Sequence, residues 1–163
     1  MVGSVWVAKL FGRHNRVATS LLMQIQHSVL VNAAPERLFA LYADVPNWNR
    51  WDPDTKVSYI DGPFQTGASG SLTPTKGKTV PMLLTSVVPN RSFTVEAKIP
   101  LFRMVFEHEL LPANGATEVT HRVSFSGALA FLLGRVIGAQ LNKGLPVTLA
   151  KLKATAEATE SGA

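Results

Sequence analysis

Six short segments between residues 56 and 125 have the residue pattern of β-strands, and turn residues separate each one from the next. The segments are KVSYI, SGSLTPT, TVPMLLTSVV, SFTVEAKI, FRMVFEHEL and TEVTHRVSF, and the turns contain DGP, KGK, PNR, Pro100 and LPANGA. Alternation of apolar and polar residues predicts strands with one buried face. The short connections predict that neighbouring strands pair in the antiparallel sense.

The region before these segments predicts one more strand and two short helices. Residues 22–31 alternate and form a half-buried strand, with five residues on its apolar phase: Met23, Ile25, His27, Val29 and Val31. Pro35 suits the first turn of a helix and Pro46 ends it. The apolar stripe of that helix consists of Leu38, Leu41, Tyr42 and Val45. The following NWNRWDP predicts a second short helix or a turn.

A helical pattern returns only after Gly127 and continues to Ala158. Its broad apolar face contains Leu129, Leu133, Val136, Ile137, Leu141, Leu145, Leu149 and Leu152. An antiparallel sheet needs a cover for its concave face, and this is the only predicted element long enough. Gly144 and Pro146 predict a kink or a loosened turn near residues 142–146. The helix glycines favour either a flexible gate or close packing on the sheet.

Three segments resemble the START-like superfamily, also called SRPBCC, which includes polyketide cyclase/dehydrase and lipid-transport proteins. They are VLVNAAPERLFALYADVPNWNRWDP, GATEVTHRVSFSG and GLPVTLAKLKATAE, and the resemblance covers about residues 22–160. It implies an α+β helix-grip fold, in which a curved antiparallel sheet of six or seven strands wraps around a long C-terminal helix. Two short helices follow the first strand, and an apolar cavity lies between sheet and helix.

The resemblance also implies a function, which is binding or transport of a small hydrophobic ligand, lipid or polyketide-like, in that cavity. The candidate ligand-binding residues are Trp51, Tyr59, Phe93, Met104, Phe106, His108, His121, Phe125, Leu133, Ile137, Leu141 and Leu145. Trp48 and Trp51 close one end of the grip in this interpretation, and packing is favoured over ligand contact for both. Some relatives are cyclases or dehydratases, so an enzyme is the alternative. An interaction module at a membrane or protein partner is a third interpretation.

Histidines occupy the apolar phase of two strands that one hairpin joins. His108 shares a face with Phe106 and Leu110, and His121 shares a face with Val119 and Val123. The apolar faces point inward, so both histidines are predicted to be inward neighbours on adjacent strands. Three roles remain open for these histidines. They are structural residues with satisfied hydrogen bonds, groups that recognise a ligand, or the acid and base of a cyclase or dehydratase.

Several kinds of site lack support in the sequence. The chain has no cysteine, which excludes disulfides, thiolate metal sites and a cysteine nucleophile. No carboxylate shares the histidine faces, so no metal site is predicted. We find no phosphate-binding glycine loop or nucleotide fingerprint, and no cofactor is expected. Basic and aromatic residues do not recur together on a strand face, so no nucleic-acid partner is expected.

The 163 residues predict one ligand-binding domain, residues 21–160, after an extension at residues 1–20. No apolar run is long enough to span a bilayer, and no secretory signal is recognisable, so a cytoplasmic protein is expected. The oligomeric state does not follow from the sequence.

Acidic residues are absent from two parts of the chain, although the net charge is only +5. None precedes Glu36, and none lies between Glu118 and Glu157. The extension combines Val5, Trp6, Leu10 and Phe11 with Lys9, Arg13 and Arg16. It is interpreted as a basic amphipathic arm in peripheral contact with a membrane or partner, as a poorly ordered tail, or as a targeting segment. The simplest explanation for the two stretches without acidic residues is that their basic side chains lie on an ordinary solvent-exposed surface.

Overall fold

The computed structural model describes residues 23–158, which form a seven-stranded antiparallel sheet and a long C-terminal helix. The strands are β1 (Met23–Val31), β2 (Thr55–Ile60), β3 (Ser69–Pro74), β4 (Val80–Val88), β5 (Ser92–Ile99), β6 (Phe102–Ala113) and β7 (Ala116–Ser126). The helices are α1 (Pro35–Ala43), a 3₁₀ helix (Val45–Arg50) and α2 (Ala130–Ala158). The spatial strand order is β1-β7-β6-β5-β4-β3-β2. This curled sheet with one long helix confirms the predicted α+β helix-grip fold.

The predicted N-terminal extension, residues 1–20, lies outside the described residues. None of the described helices combines the length and the apolar character that crossing a membrane requires.

The two short helices close one end of the curled sheet. Pro35 occupies the first turn of α1, as predicted, and Leu38 and Tyr42 are the buried residues of this helix. The indole Nε1 of Trp48 donates a hydrogen bond to the Tyr42 carbonyl at 2.8 Å, which fixes the 3₁₀ helix against the end of α1. Trp48 and Trp51 are both buried in the main apolar core.

The helix α2 runs without interruption through Pro146, so the loosened turn predicted near residues 142–146 does not appear as a break. Its glycines have different surroundings. A Cβ at Gly138 would lie 3.1 Å from the Met23 sulfur and 3.3 Å from Ile25 Cδ1, so this glycine permits close packing on β1. A Cβ at Gly144 would instead lie 2.6 Å from an exposed carboxylate oxygen of Asp54.

A pair of glycine substitutions tests this difference. Gly144→Ala should raise the unfolding free energy by roughly 0.5–1 kcal/mol, because alanine favours the helix and the exposed Asp54 side chain can rotate away. Gly138→Ala should give no such gain and should lower the unfolding free energy, because Met23 and Ile25 already fill the space. Urea denaturation of both variants measures the contrast. Equal gains in the two variants would show that Gly138 is not needed for packing.

Candidate functional site

A cavity of about 650 Å³ lies between the concave face of the sheet and the middle of α2. Most of its wall is apolar. The sheet contributes Leu72, Val80, Met82, Phe93, Val95, Ala97, Met104 and Phe106, and α2 contributes Ile137, Leu141 and Leu145. The volume falls within the range of about 300–1,000 Å³ that is usual for small-molecule sites.

Nine of the twelve candidate residues named from the sequence line this cavity. They are Trp51, Phe93, Met104, Phe106, His108, His121, Ile137, Leu141 and Leu145. The other three lie elsewhere. Phe125 and Leu133 are packed in a second apolar core where α2 meets the sheet, and Phe125 lies beside Gly134.

The predicted cavity position of Tyr59 is wrong, because this side chain is 55% exposed on the outer face of β2. In β2 the polar residues Thr55 and Ser58 are buried, whereas Val57 and Tyr59 are exposed. The reason is a hydrogen bond: Ser58 Oγ donates to the Val45 carbonyl at 2.6 Å. In addition, the pairing of β2 with β3 shifts register between Thr55 and Val57, so the simple alternation assumed from the sequence does not hold along β2.

The two predicted histidines lie directly opposite each other on neighbouring strands. His108 of β6 pairs with His121 of β7, and their ring centroids are 4.5 Å apart. On the other side, the His108 ring stacks on Phe93 of β5 at 4.0 Å with an interplanar angle of 2°. This confirms the strand phase and the hairpin register read from the sequence. His27 of β1 lies opposite His121, but its Nε2 is 2.8 Å from the Asn142 side-chain oxygen on α2.

The two histidines differ in hydrogen bonding. The Tyr42 hydroxyl lies 2.7 Å from His121 Nε2, so α1 fixes the orientation of this ring. Burial raises the pKa of Tyr42, which keeps its hydroxyl protonated. No described residue makes a hydrogen bond of ordinary geometry with the buried His108 Nδ1, although the nearby Phe93 backbone acts to raise the pKa of His108 against the larger effect of burial. An unsatisfied buried nitrogen is uncommon and costs stability, so His108 is the unusual group of the pair.

Both imidazoles are neutral at physiological pH. Burial lowers the pKa of His108 to about 3. Burial also lowers the pKa of His121, and the neighbouring His108 lowers it further. A neutral imidazole has one donor nitrogen and one acceptor nitrogen. His108 is half-buried and is one of the residues that line the cavity. We therefore assign the accessible part of its side chain to the cavity wall.

Charged residues surround one end of the cavity. Asp54, Lys76 and Lys143 are exposed and come from the approach to β2, from the turn between β3 and β4, and from α2. These three elements are far apart in the sequence, and the residue patterns of the chain did not predict that they come together. We take this ring of charges as the mouth of the cavity, where Gly144 approaches Asp54.

A polar bridge at Asp52 holds the mouth together. Its Oδ2 accepts a hydrogen bond from Thr55 Oγ1 at 2.6 Å, and its Oδ1 accepts one from Thr148 Oγ1 at 3.0 Å. The bridge therefore ties α2 to the start of β2. Burial raises the pKa of Asp52, and the two threonine bonds partly offset that effect. Sequence reasoning treated this residue only as part of a turn.

Several other cavity residues missed from the sequence are apolar. Val95 and Ala97 share the phase of Phe93 on β5, so the alternation of that strand could have identified them. Met82 lies opposite Ala97 on β4. Within residues 23–158, no group of three or more His, Cys, Asp or Glu side chains is placed to hold a metal ion.

Residues 23–157 match the family model described as polyketide cyclase / dehydrase and lipid transport. The chain belongs to this family. A search of curated proteins finds no match to the sequence. The family assignment therefore rests on a match that covers nearly all of the described residues.

Solved structures with the same fold have low sequence identity to this chain. The di-domain ARO/CYC StfQ from the steffimycin biosynthetic pathway is 12% identical with a TM-score of 0.71, covering 86% of this chain and 52% of its own. A START superfamily protein from Mycobacterium smegmatis is 14% identical with a TM-score of 0.68, covering 83% and 98%. A hypothetical protein from Helicobacter pylori is 8% identical with a TM-score of 0.71, covering 95% and 100%. This chain spans about half the length of the di-domain protein.

Acid should destabilise the protein through its buried histidines. Histidine in an unfolded chain has a pKa near 6.5, whereas burial lowers the pKa of His108 to about 3. Between these values the unfolded chain binds a proton that the folded protein does not bind. The unfolding free energy should therefore fall with falling pH by up to about 1.4 kcal/mol per pH unit for His108.

Urea denaturation between pH 7 and pH 4 measures this dependence. His108→Phe should make the pH dependence shallower by about one proton relative to the native protein. The comparison between the two proteins cancels the contribution of the carboxylates. Identical pH profiles would mean that His108 titrates normally in the folded state.

Proposed function

We propose that this protein binds a small, mainly apolar molecule that carries at least one oxygen, and that it acts as a carrier or sensor of that molecule. Lipids and polyketide-like aromatic compounds both have this chemistry. The observation that carries the proposal is an apolar cavity of about 650 Å³ with two neutral histidines in its wall. The family to which the chain belongs is consistent with small hydrophobic ligands.

The histidine pair supports an oxygenated ligand over a pure hydrocarbon. His108 and His121 both line the cavity, and both are neutral. An uncharged ligand can therefore bind beside them without leaving a buried charge unpaired. A ligand hydroxyl could donate or accept one hydrogen bond at an imidazole and a ligand carbonyl could accept one, since a neutral ring has both a donor and an acceptor nitrogen. Burying a polar ligand atom is costly without such a partner, so these two residues would set the orientation of the ligand.

The cavity wall supports binding more strongly than catalysis. General acid–base catalysis is most effective when the pKa of the catalytic group is near the working pH. Burial lowers the pKa of His108 to about 3, which makes this imidazole a weak base. The carboxylate of Asp52 is also engaged in the bridge to Thr55 and Thr148.

A binding comparison tests the proposal with 2-naphthol and naphthalene as matched probes. The native protein should bind naphthol more tightly, and His108→Phe should weaken naphthol binding by roughly tenfold while leaving naphthalene nearly unchanged. The stacked contact with Phe93 can persist in this variant, so the fold should be retained. Isothermal calorimetry, or competition with a fluorescent apolar dye, measures both affinities.

The control for this experiment is His27→Phe, because His27 is on the same sheet row but does not line the cavity. It should leave the preference for naphthol unchanged. The double variant His121→Phe/Tyr42→Phe removes both members of the other polar pair without leaving a hydroxyl unpaired. If the native protein binds neither probe, or binds both equally, the proposed role of the histidines is wrong. Native mass spectrometry of gently purified protein then looks for a co-purified ligand.

A second candidate function is a cyclase or dehydratase, with His108 or His121 as acid or base. The contact of His121 with the Tyr42 hydroxyl favours it, because such a pair can hold a ring in one tautomer. The name of the family includes polyketide cyclase / dehydrase activity. Turnover of a poly-β-ketone analogue above the uncatalysed rate, lost in His121→Phe, would favour this enzyme over a carrier.

A further inference from the structure

A group of large apolar side chains is exposed where α2 begins. We call it the α2 apolar face; it consists of Leu101, Leu129, Phe131, Leu132 and Val136. The backbone nitrogen of Leu129 donates a hydrogen bond to the Leu101 carbonyl at 3.0 Å, so these two residues are neighbours. Leu132 and Val136 are one helical turn apart on α2. Phe131 is 78% exposed. Contiguous exposed apolar groups usually mark a binding surface.

Leu101 occupies a position where leucine is unfavourable for two reasons. It is 65% exposed, and its φ of +64° lies in the left-handed region that favours glycine. It follows Pro100 in the two-residue turn between β5 and β6. Glycine or asparagine would be the usual choice at such a position. An exposed apolar side chain retained in a strained turn supports a role for this surface outside the fold itself.

The α2 apolar face has a basic border. The Arg135 guanidinium lies 5.7 Å from the centroid of the Phe131 ring, and Lys98 is exposed on the adjoining end of β5. Glu96, on the same strand, is paired with Arg103. The helix itself has no acidic residue before Glu157. An apolar surface with basic residues at its edge matches the chemistry of an anionic lipid surface.

The charges decide between three occupants of this face. The first described residue is Met23, whose side chain lies against Gly134 and Gly138 on α2, and the sequence before it is residues 1–22. That segment is itself basic and free of acidic residues, so its charge does not complement the face. A second copy would bring the same basic border against itself. An anionic bilayer complements both the face and the segment.

We propose that the protein docks on anionic phospholipid bilayers through the α2 apolar face. Phe131, Leu132 and Leu101 enter the interface, and Arg135 contacts lipid phosphates. The opposite side of the same helix turns Ile137 and Leu141 into the cavity, so docking brings the helical wall of the cavity next to the bilayer. The docking does not depend on the cavity ligand and stands or falls separately from the proposed function.

Vesicle co-sedimentation of the full chain tests this docking without any cavity ligand. The native protein should bind vesicles that contain phosphatidylglycerol and should bind pure phosphatidylcholine vesicles much more weakly. Leu101→Asn combined with Phe131→Ser should reduce binding by roughly tenfold or more. Asparagine tolerates the left-handed turn, so the first change should not impair folding. Arg135→Gln alone should reduce binding about fivefold and weaken its dependence on salt.

The matched control is Leu111→Asn, which removes an exposed leucine at the opposite end of β6 from Leu101. It should leave vesicle binding unchanged. With Trp6 replaced by phenylalanine, a tryptophan at the face, Phe131→Trp, should be quenched by brominated anionic lipid, whereas Leu111→Trp should not. The proposal is overturned if the native protein ignores anionic vesicles or if the Leu101→Asn/Phe131→Ser variant binds as well as the native protein. It is also overturned if light scattering shows a dimer that Phe131→Ser dissociates while vesicles remain unbound.

Discussion

The position of α2 across the concave face of the sheet determines most of the other features of this protein. Near its start, Gly134 and Gly138 allow the helix to lie close to β1 and β7. Near its end, Leu149 and Leu152 are buried in the main core with Trp48 and Trp51. Between these two contacts the helix stands away from β4, β5 and β6, and that separation is the cavity. The bridge from Asp52 to Thr148 sets the helix position at the mouth.

The two histidines in the cavity wall lower the stability of the fold and give the cavity a polar site. A core of leucine and phenylalanine at the histidine positions would avoid the cost of burying two imidazoles. His121 recovers part of that cost from the Tyr42 hydroxyl, whereas no hydrogen bond of ordinary geometry reaches the Nδ1 of His108 within the described residues. Buried polar groups without partners often occur at functional sites.

The two sides of α2 have different surroundings. Inward residues such as Ile137 and Leu141 complete the cavity, while the exposed Phe131 and Leu132 are not needed to fill any described core. A helix with apolar residues on both sides is expected to be buried on both sides. An apolar environment would therefore stabilise the outer side of α2, and the proposed bilayer contact would supply one.

The sequence predicted the features that depend on local periodicity. Strand alternation placed His108 and His121 on the inner face, and the hairpin between β6 and β7 set their register within a short stretch of chain. The order of strands and helices and the long covering helix followed in the same way. Nine of the predicted candidate residues line the cavity because they share these phases.

Tertiary structure alone decided the features that join distant parts of the chain. The Tyr42 contact with His121 spans 79 residues, and the Asp52 contact with Thr148 spans 96. Tyr59 was misplaced because β2 shifts register between Thr55 and Val57 and Ser58 bonds inward to the Val45 carbonyl, neither of which a period in β2 reveals. A residue pattern reports which side of an element is apolar, but only the packed chain determines which polar group meets which partner. That is why the residues of the strands could be assigned from sequence, whereas the mouth of the cavity and the exposed face of α2 could not.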